Sequence, residues 1–569
     1  NNREVSMDKK TMLAIVLSLG VLLVYQAFFA KPQVPSKQTA VPSQQATSNK
    51  KTEAQPAQTA AIPNAAVIAK ESSSKSTAPP KDIQVETAQY SAIFSTKGGA
   101  LKSFQLKGYQ KDCINCADDI YPRIKNLITG NKQPLPPRSK GYVELVDVKE
   151  GMPYPLAVTF PESSVDVAAD AVYETDAAKL DLTAAKEKKR LVFSQTFDDK
   201  IKVEKIFTFN PDNYTISLDV KVYNLTAAPL NQTPKLSWQQ YVDPNKEVDS
   251  YGHEGPVASI ARSIEREEPK KLDKEKIQGP NVLWSGYESK YFIASFIPEN
   301  PSLTSTIMSR DETNMVSVSI KGQKELIPGS QSGSFGYTLY LGPKEHNLLK
   351  AQNVGLEDSI DFGSWLKWLA LPLLWVLNFI HNYISNYGMA IIILTLLIKI
   401  VFWPLGNLSY KSMQEMKKLQ PKIAELKERY KNDQQKIGAE TMALYKAHKV
   451  NPFGGCLPIV IQIPIFFGLY KALLYSIELR HSPFFWWIQD LSAKDPYYIT
   501  PIIMGATQFI QQKMTPTMGD PMQAKLMLFM PVIFTFFFLN FPSGLVIYWL
   551  FNNIFSIGQQ YYMNKKLES

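Results

Sequence analysis

Hydrophobic and polar positions divide the chain into stretches of very different texture. Residues 11–30, TMLAIVLSLGVLLVYQAFFA, carry no charge and at 1.5 Å per residue are long enough to cross a bilayer. Residues 31 to about 80 are rich in Ala, Gln, Ser, Thr, Lys and Pro without a hydrophobic period, which predicts a flexible tether. From about Asp82 to Pro343 the pattern alternates. Segments such as IQVETAQYSAIFST, LVFSQTFDDKIKVEKIFTFN and YTISLDVKVYNL are β-branched and aromatic, and Gly98-Gly99, Asn210-Pro211-Asp212 and Asn300-Pro301-Ser302 punctuate them. Many short strands without a helical period predict a large antiparallel β-sandwich over 81–345.

After about Gly363 apolar runs dominate. Residues 364–383, SWLKWLALPLLWVLNFIHNY, open on Trp365, Lys367 and Trp368 and contain Pro372. That placing suits a helix lying in the headgroup region over 360–385 better than one crossing the bilayer. Spans are expected at 387–404, 454–475, 498–512, 525–541 and 543–562. The third and fourth are short for a hydrocarbon layer of roughly 30 Å, which predicts local thinning or tilt. Within 405–452, Met416, Leu419, Ile423, Leu426 and Tyr430 recur every three or four positions. Ile437, Thr441, Leu444 and His448 answer them beyond Asn432-Asp433. This predicts an antiparallel helical hairpin, kinked at Pro421.

Charge decides the sidedness. The overall composition, 45% hydrophobic and 20% charged with a net charge of +10, and a mean hydropathy of −0.17, average over these unlike regions. A net positive charge is compatible with nucleic acid, but no DNA partner is expected. The plainer reading is a set of basic cytoplasmic loops. Lys417, Lys418, Lys422, Lys427 and Arg429 lie in the hairpin, which is therefore placed in the cytoplasm. Their functional reading is contact with ribosomal RNA or anionic lipid; the plain one is solvation and topology. Lys9 and Lys10 before the first span favour a cytoplasmic N-terminus, and Phe28 and Phe29 argue against a cleaved signal peptide. Met7 reads as a start, so the anchor is taken as 7–30 and Asn1 to Ser6 are left out as an extension. Six spans with both termini cytoplasmic put the β domain on the far side.

Three cysteines do not make a disulfide scaffold. Cys113 and Cys116 form a CxxC, read first as a local disulfide, then as two free thiols, and last as a redox motif. Cys456 reads as packing. The five histidines show no metal spacing, and neither a Walker loop nor a nucleophile elbow occurs. No cofactor or metal is expected.

Lys399 is the anomaly. It lies inside the span 387–404, with Thr395 one turn before it on the same face. Other spans carry Gln462, Gln508, Gln511, Gln512 and Thr535, and Asn552, Ser556, Gln559 and Gln560 share one helical face. None of the five expected C-terminal spans holds a carboxylate to neutralise Lys399. Two readings stand: a polar groove wetted from the cytoplasm with Lys399 unpaired, or a side chain snorkelling to the interface past Pro404.

The run YGMAIIILTLLIKIVFWPL, the words LQPKI, MALYK and KVNPFGGCLPIVIQIPIFFGLY, and then DPYYITPIIMG and MPVIFTFFFLNFPSGLVIYW resemble the YidC-type membrane protein insertases of the YidC/Oxa/Albino family. The likeness covers about 360–562, and the anchor, tether and β domain match the Gram-negative form. It implies a mainly α membrane protein: a five-helix transmembrane core (387–562), an N-terminal anchor, a cytoplasmic hairpin and a periplasmic β-supersandwich. It implies an insertase and folding chaperone without catalytic chemistry, located in the bacterial inner membrane. Such a protein moves substrate segments from the cytoplasm into the membrane through a hydrophilic groove, alone or with the Sec translocon. The implied partners are nascent membrane proteins, the ribosome, the translocon, the signal-recognition receptor and anionic lipids. The groove residues would be Lys399, Thr395, Gln462, Gln508, Gln512, Asn552 and Ser556. Ile463, Phe466, Met504, Phe537 and Trp549 would meet the apolar part of the substrate. The family's bacterial members commonly carry arginine where this chain has Lys399, and tyrosine is common where it has Trp549. Lysine keeps the charge but loses the two-pronged fork, so the implied role is attraction rather than fixed geometry.

Two other classes compete. An ion or solute transporter would also use an intramembrane charge, but it predicts internal repeats, and none is visible. A sugar-mutarotase-like enzyme in the β domain would need a clustered acid and base, for which His253 and Glu254 are the local candidates.

Overall fold

The alternating stretch becomes pleated sheet because each strand has one face to bury. The computed structural model describes residues 79–117, 138, 140–149, 151–245, 252–363, 365–431, 433–451, 454, 457–515 and 521–568. The anchor expected at 7–30, nearly all of the tether and Cys456 lie outside these residues. The largest sheet has eight antiparallel strands in the spatial order Ser263–Arg266, Gly255–Ile260, Val282–Glu288, Phe292–Pro298, Ser332–Pro343, Thr215–Asn224, Ile201–Phe209 and Lys189–Phe197. Along Thr215–Asn224 the residues Ile216, Leu218, Val220 and Val222 are buried, while Ser217, Asp219, Lys221 and Tyr223 face outward. One five-stranded sheet meets the larger sheet through Phe94, whose ring centroid lies 4.8 Å from that of Phe207. A second five-stranded sheet meets it where Ser285 Oγ and Thr306 Oγ1 lie 2.8 Å or less apart, at 2.7 Å. Among the described strands the pairing is antiparallel except that Asp82–Glu86 pairs in parallel with Lys179–Asp181. Strands therefore make up the first part of the described chain and helices the second, a more even division than a mainly α fold.

Along the strand Ile201–Phe209 one inward position breaks the apolar rule. Ile201, Val203, Phe207 and Phe209 point into the core, and so does Lys205, which is fully buried. Its Nζ donates to the Gly98 carbonyl at 2.6 Å and lies 4.7 Å from the centroid of the Tyr173 ring. Burial pushes the ammonium down from 10.5 to about 7, because a charge without a counter-ion is disfavoured in the core.

The junction with the helical part is ionic. Glu288, also fully buried, accepts from Arg266 Nε at 2.7 Å and from Lys344 Nζ at 2.8 Å. Arg266 Nη2 also donates to the Ser359 carbonyl at 2.8 Å. After the short helix α1 (His346–Lys350), α2 runs Lys367–Tyr383. It buries Ala370, Leu374, Leu377 and Ile380 and exposes Trp368, Trp375 and Tyr383.

Helix α3 (Tyr387–Val401) is capped by Asn386, whose side chain accepts from Met389 N at 3.0 Å. It ends at Phe402, and α4 (Trp403–Arg429) continues at a bend of 63°. Pro404 stands in the first turn of α4, where a missing N–H is harmless. The first arm of the expected hairpin thus starts at Trp403, not beyond it. Its partner α5 (Gln434–Ala447) is capped by Asp433. Met416, Leu419 and Val450 form a small core there, joined by Met413, Ile423 and Tyr445.

Four more helices follow: α6 (Leu457–Tyr475), α7 (Ile499–Met514), α8 (Pro521–Phe538) and α9 (Ser543–Glu568). Buried Asp495 starts α7 by accepting from Thr500 N and Oγ1, both at 2.7 Å. A Cβ at Gly505 would overlap Thr535, so glycine lets α7 and α8 approach closely. Among the described residues no single helix is long and apolar enough to cross a membrane by itself. The bent pair α3–α4 is so by length and composition.

Lys205 supplies a test of the β domain. Below about pH 7 both folded and unfolded chains carry its proton, so the buried charge exacts its full penalty. Between about 7 and the ordinary 10.5, the unfolded chain binds a proton that the folded chain lacks, so stability rises with pH by up to about 1.4 kcal/mol per unit. Lys205→Met should flatten that rise and increase stability most at pH 6–7. Thermal unfolding midpoints of the purified chain between pH 6.5 and 9.5 check this.

Candidate functional site

The polar residues of α9 recur at helical spacing, and packing turns them inward. Asn552, Ser556, Gln559 and Gln560 are all buried. Asn552, Ser556 and Gln559 line a cavity of about 160 Å³, whose other polar lining residues include Lys399 from α3, Ser409 and Tyr410 from α4, Gln462 from α6 and Gln511 from α7. The end of α3 therefore delivers one ammonium into a wall made of neutral amides and hydroxyls.

The hydrogen bonds are specific. Lys399 Nζ donates to Ser556 Oγ at 2.7 Å, so the expectation of an unpaired lysine is corrected: its partner is a hydroxyl, one helix away. Ser556 Oγ in turn donates to Asn552 O at 2.7 Å, a backbone bond that spends the serine proton and leaves the oxygen lone pairs for the ammonium. Gln462 Nε2 donates to Asn552 Oδ1 at 2.8 Å. Tyr410 OH donates to the Ser556 carbonyl at 3.3 Å. Gln559 Nε2 donates to the Trp403 carbonyl and to Asn407 Oδ1, both at 3.0 Å.

Lys399, Gln462, Asn552 and Ser556 thus line one cavity. Thr395, Gln508 and Gln512 are not among its lining residues. Thr395 is buried and its hydroxyl donates to Ile391 O at 2.7 Å within its own helix, the usual recourse of a threonine inside an apolar helix. Gln508 is partly buried with Oε1 unsatisfied among the described residues. Gln512 lies one step from Gln511, which takes its place because α7 turns 100° per residue.

The apolar candidates separate as well. Phe466 and Trp549 meet edge to face at 4.7 Å, and Trp549 also packs on Phe538 at 5.2 Å. Phe537 stacks at a tilt on Phe541, 4.8 Å away. Ile463 is exposed, whereas Met504 is completely buried and serves packing between helices. In the hairpin Lys417, Lys418, Lys422 and Arg429 are exposed and Lys427 is partly buried; Lys422 Nζ lies 3.1 Å from His448 Nε2. Cys113 and Cys116 are disulfide-bonded. In the β domain His253 Nε2 lies 3.2 Å from the Pro256 carbonyl, and burial lowers the imidazole below its ordinary value.

Ser409, Tyr410, Met413, Gln511 and Gln559 also line the wall but are absent from the expected groove. Gln559 and Gln511 were readable from polar spacing. The α4 residues were not, because a boundary drawn at Pro404 assigned them to a separate cytoplasmic loop.

Comparison with known proteins identifies the family. Residues 379–569 match the family described as 60Kd inner membrane protein, and residues 135–376 match the YidC periplasmic domain. The chain is 58% identical over 570 residues to the membrane protein insertase YidC of Syntrophus aciditrophicus (strain SB), covering 98% of this chain and 100% of that one. It is 41% identical over 566 residues to the YidC insertase of Geotalea daltonii, covering 99% and 100%. A crystal structure of an active YidC insertase with its first transmembrane domain resolved aligns over 85% of this chain and 92% of that chain, with 22% identity and a TM-score of 0.35. The chain belongs to the YidC family of membrane protein insertases.

Proposed function

We propose that the cavity walled by α3, α4, α6, α7 and α9 is the groove through which this insertase passes the polar end of a substrate, with Lys399 as its attracting charge. The observation that carries this reading is the bond from Lys399 Nζ to Ser556 Oγ. A lysine within an apolar helix is disfavoured by about 2.5–3.5 kcal/mol even on insertion scales. A neutral hydroxyl satisfies its geometry but not its charge, so an arriving carboxylate gains. At an effective dielectric near 20, charges about 4 Å apart attract by roughly 4 kcal/mol before desolvation. The other polar groups of the wall are amides and hydroxyls, which exchange their bonds for water or peptide at little net change, and Phe402, Leu405, Met413, Ile461 and Ile465 supply apolar surface beside them.

In this reading α3, α6, α7, α8 and α9 are the membrane-crossing helices, and residues 7–30 add an anchor. The fifteen residues of α3 and the sixteen of α7 span only about 22–24 Å, which favours a thinned bilayer and shortens the polar path. The exposed aromatic face of α2 suits the interface. The basic hairpin α4–α5 suits the cytoplasm, with both termini there, and offers Lys417, Lys418, Lys422, Lys427 and Arg429 to a ribosome or to anionic lipid. Nascent membrane proteins are the substrates. The Sec translocon and the signal-recognition receptor are partners that nothing in the residues identifies further. The apolar segment of the substrate leaves past Ile463 and the Phe466–Trp549 cluster, whose aromatic side chains accept many sequences.

Lys399→Glu should reduce insertion of substrates with acidic tails at least tenfold, a loss of about 1.4 kcal/mol or more, while Lys399→Arg stays near the parent. Insertion assays in vesicles decide; equal insertion by Lys399→Glu sinks the electrostatic role. Ser556→Asp places a permanent carboxylate on the lysine and should inhibit the same substrates, whereas Ser556→Ala should stay within about threefold because water replaces a hydroxyl. Single cysteines at Gln462, Asn552 and Ser556 should react with a membrane-impermeant maleimide added from the cytoplasmic side. A cysteine at Leu397, on the outer face of α3, should not. Uniform protection would rule out a wet groove.

A further inference from the structure

Between α6 and α7 the chain turns through Phe484-Phe485-Trp486-Trp487, four aromatic residues in a row. Packing sorts them. Phe484 lies against the start of α3, where a Cβ on Gly388 would overlap its ring. Trp487 is partly buried, and its Nε1 donates to Asp495 Oδ1 at 3.0 Å. Phe485 and Trp486, between these two, are exposed, Trp486 to 83%.

The turn is built to hold those two rings outward. Phe484 N donates to Ile488 O at 2.9 Å, and Ile488 N to Phe485 O at 3.1 Å. Gln489 Nε2 donates to Trp486 O at 2.6 Å. Trp486 has a φ of 52°, a left-handed conformation that a bulky residue seldom adopts. Its direction is therefore imposed by the surrounding bonds rather than by local preference. The exposed apolar surface also continues. Trp487 meets Tyr497 edge to face at 6.4 Å, and Tyr497, Ile499, Ile502 and Ile503 are exposed at the start of α7. A contiguous apolar surface of this kind marks a contact with something outside the chain.

Two helix starts are tied to this turn. Asn386, the cap of α3, donates from Nδ2 to Phe484 O at 3.0 Å. Asp495, which takes the Trp487 N–H, also accepts from Thr500 N in the first turn of α7. Just before the aromatic run, Arg480 Nη2 donates to Gln110 O at 2.8 Å and Lys111 O at 2.9 Å. The tip thus lies where the helical bundle ends and the β domain begins, with Arg480, His481 and Asp490 flanking its rings in sequence.

We propose that Phe485 and Trp486 are a lipid anchor, seated at the headgroup–acyl boundary of the leaflet nearest the β domain, and that they set the depth of α3 and α7. The proposal rests on the reading of those two helices as membrane-crossing. A lipid surface fits better than a protein groove because the rings are continuous with the exposed apolar side of α7 and stand at the helix starts. That is the level at which tryptophan, with charged neighbours on its wet side, is favoured. Depth matters to the cavity. Lys399 lies about 18 Å further along the α3 axis, so fixing the start of the helix fixes how far the ammonium stands from the opposite surface.

The test uses the full chain carrying Cys456→Ser, in vesicles of phosphatidylcholine and phosphatidylglycerol, with a nitroxide on one introduced cysteine at a time. Trp486→Cys reports the tip. Leu397→Cys on exposed α3 surface and Leu326→Cys on exposed β-domain surface are the references. Relative accessibility to oxygen and to a water-soluble nickel chelate gives each depth. The label at 397 should read hydrocarbon and that at 326 water, with 486 between them, within about 5–10 Å of the headgroup–acyl boundary. A label at 486 as open to the chelate as 326, with 397 in hydrocarbon, overturns the anchor and leaves the crossing helices standing. Shielding of 486 from both reagents means a protein contact and overturns it too, and 397 in water removes both readings. Replacing both rings, Phe485→Ser with Trp486→Ser, should shift the depth read at 397; an unchanged depth overturns the depth-setting role.

Discussion

An ammonium held by a serine hydroxyl inside an apolar helical bundle is the constraint around which the helical part is arranged. Lys399 can occupy the end of α3 because α9 presents Asn552, Ser556, Gln559 and Gln560 on one buried face. That face would be intolerable against lipid, so α9 must be surrounded. Helices α3, α4, α6 and α7 surround it, and each contributes a polar or small residue where it meets α9. The bend at Phe402 follows from the same need. A straight continuation of α3 would carry Ser409 and Tyr410 away from Ser556, whereas the 63° turn brings the Tyr410 hydroxyl to the Ser556 carbonyl.

The two halves of the molecule treat buried charge in opposite ways. At the junction of the β domain, Glu288 is closed off by both Arg266 and Lys344, so each charge is compensated. Removing one partner would strand the others, the expensive case for buried ions. Lys399 donates to a neutral hydroxyl and has no ionic partner among the described residues. Lys205 falls between: it has no counter-ion among the described residues, and burial drives it toward neutrality.

Much of this was legible in residue order because periodicity reports burial directly. Strands such as Thr215–Asn224 show period two, and the buried stripe of α9 shows the helical spacing of Asn552, Ser556 and Gln559. What escaped depends on direction rather than period. Whether Gln511 or Gln512 enters the cavity is a single 100° step. Pro404 reads equally as the end of one helix or the first turn of the next, and the choice moved Ser409 and Tyr410 out of the expected site. Met504 carries nothing in its neighbours to separate an exposed contact from complete burial.

Helix α4 joins two levels of the structure that a linear reading keeps apart. Its first turns wall the cavity, held to α9 by Tyr410, Asn407 and the Trp403 carbonyl, and Gln414 Nε2 reaches Asn564 Oδ1 at 2.7 Å one turn further on. Its later turns form the basic arm that packs against α5. A helix is stiff along its axis, so a force applied to the exposed arm is borne by these polar bonds to α9. Each is worth only about 1 kcal/mol net, far less than the apolar burial that holds α3, α7 and α9 together. The side of the cavity formed by α4 is held to α9 by these polar bonds together with the Trp403–Tyr562 ring contact. Engagement of the hairpin by a charged partner would act on that wall.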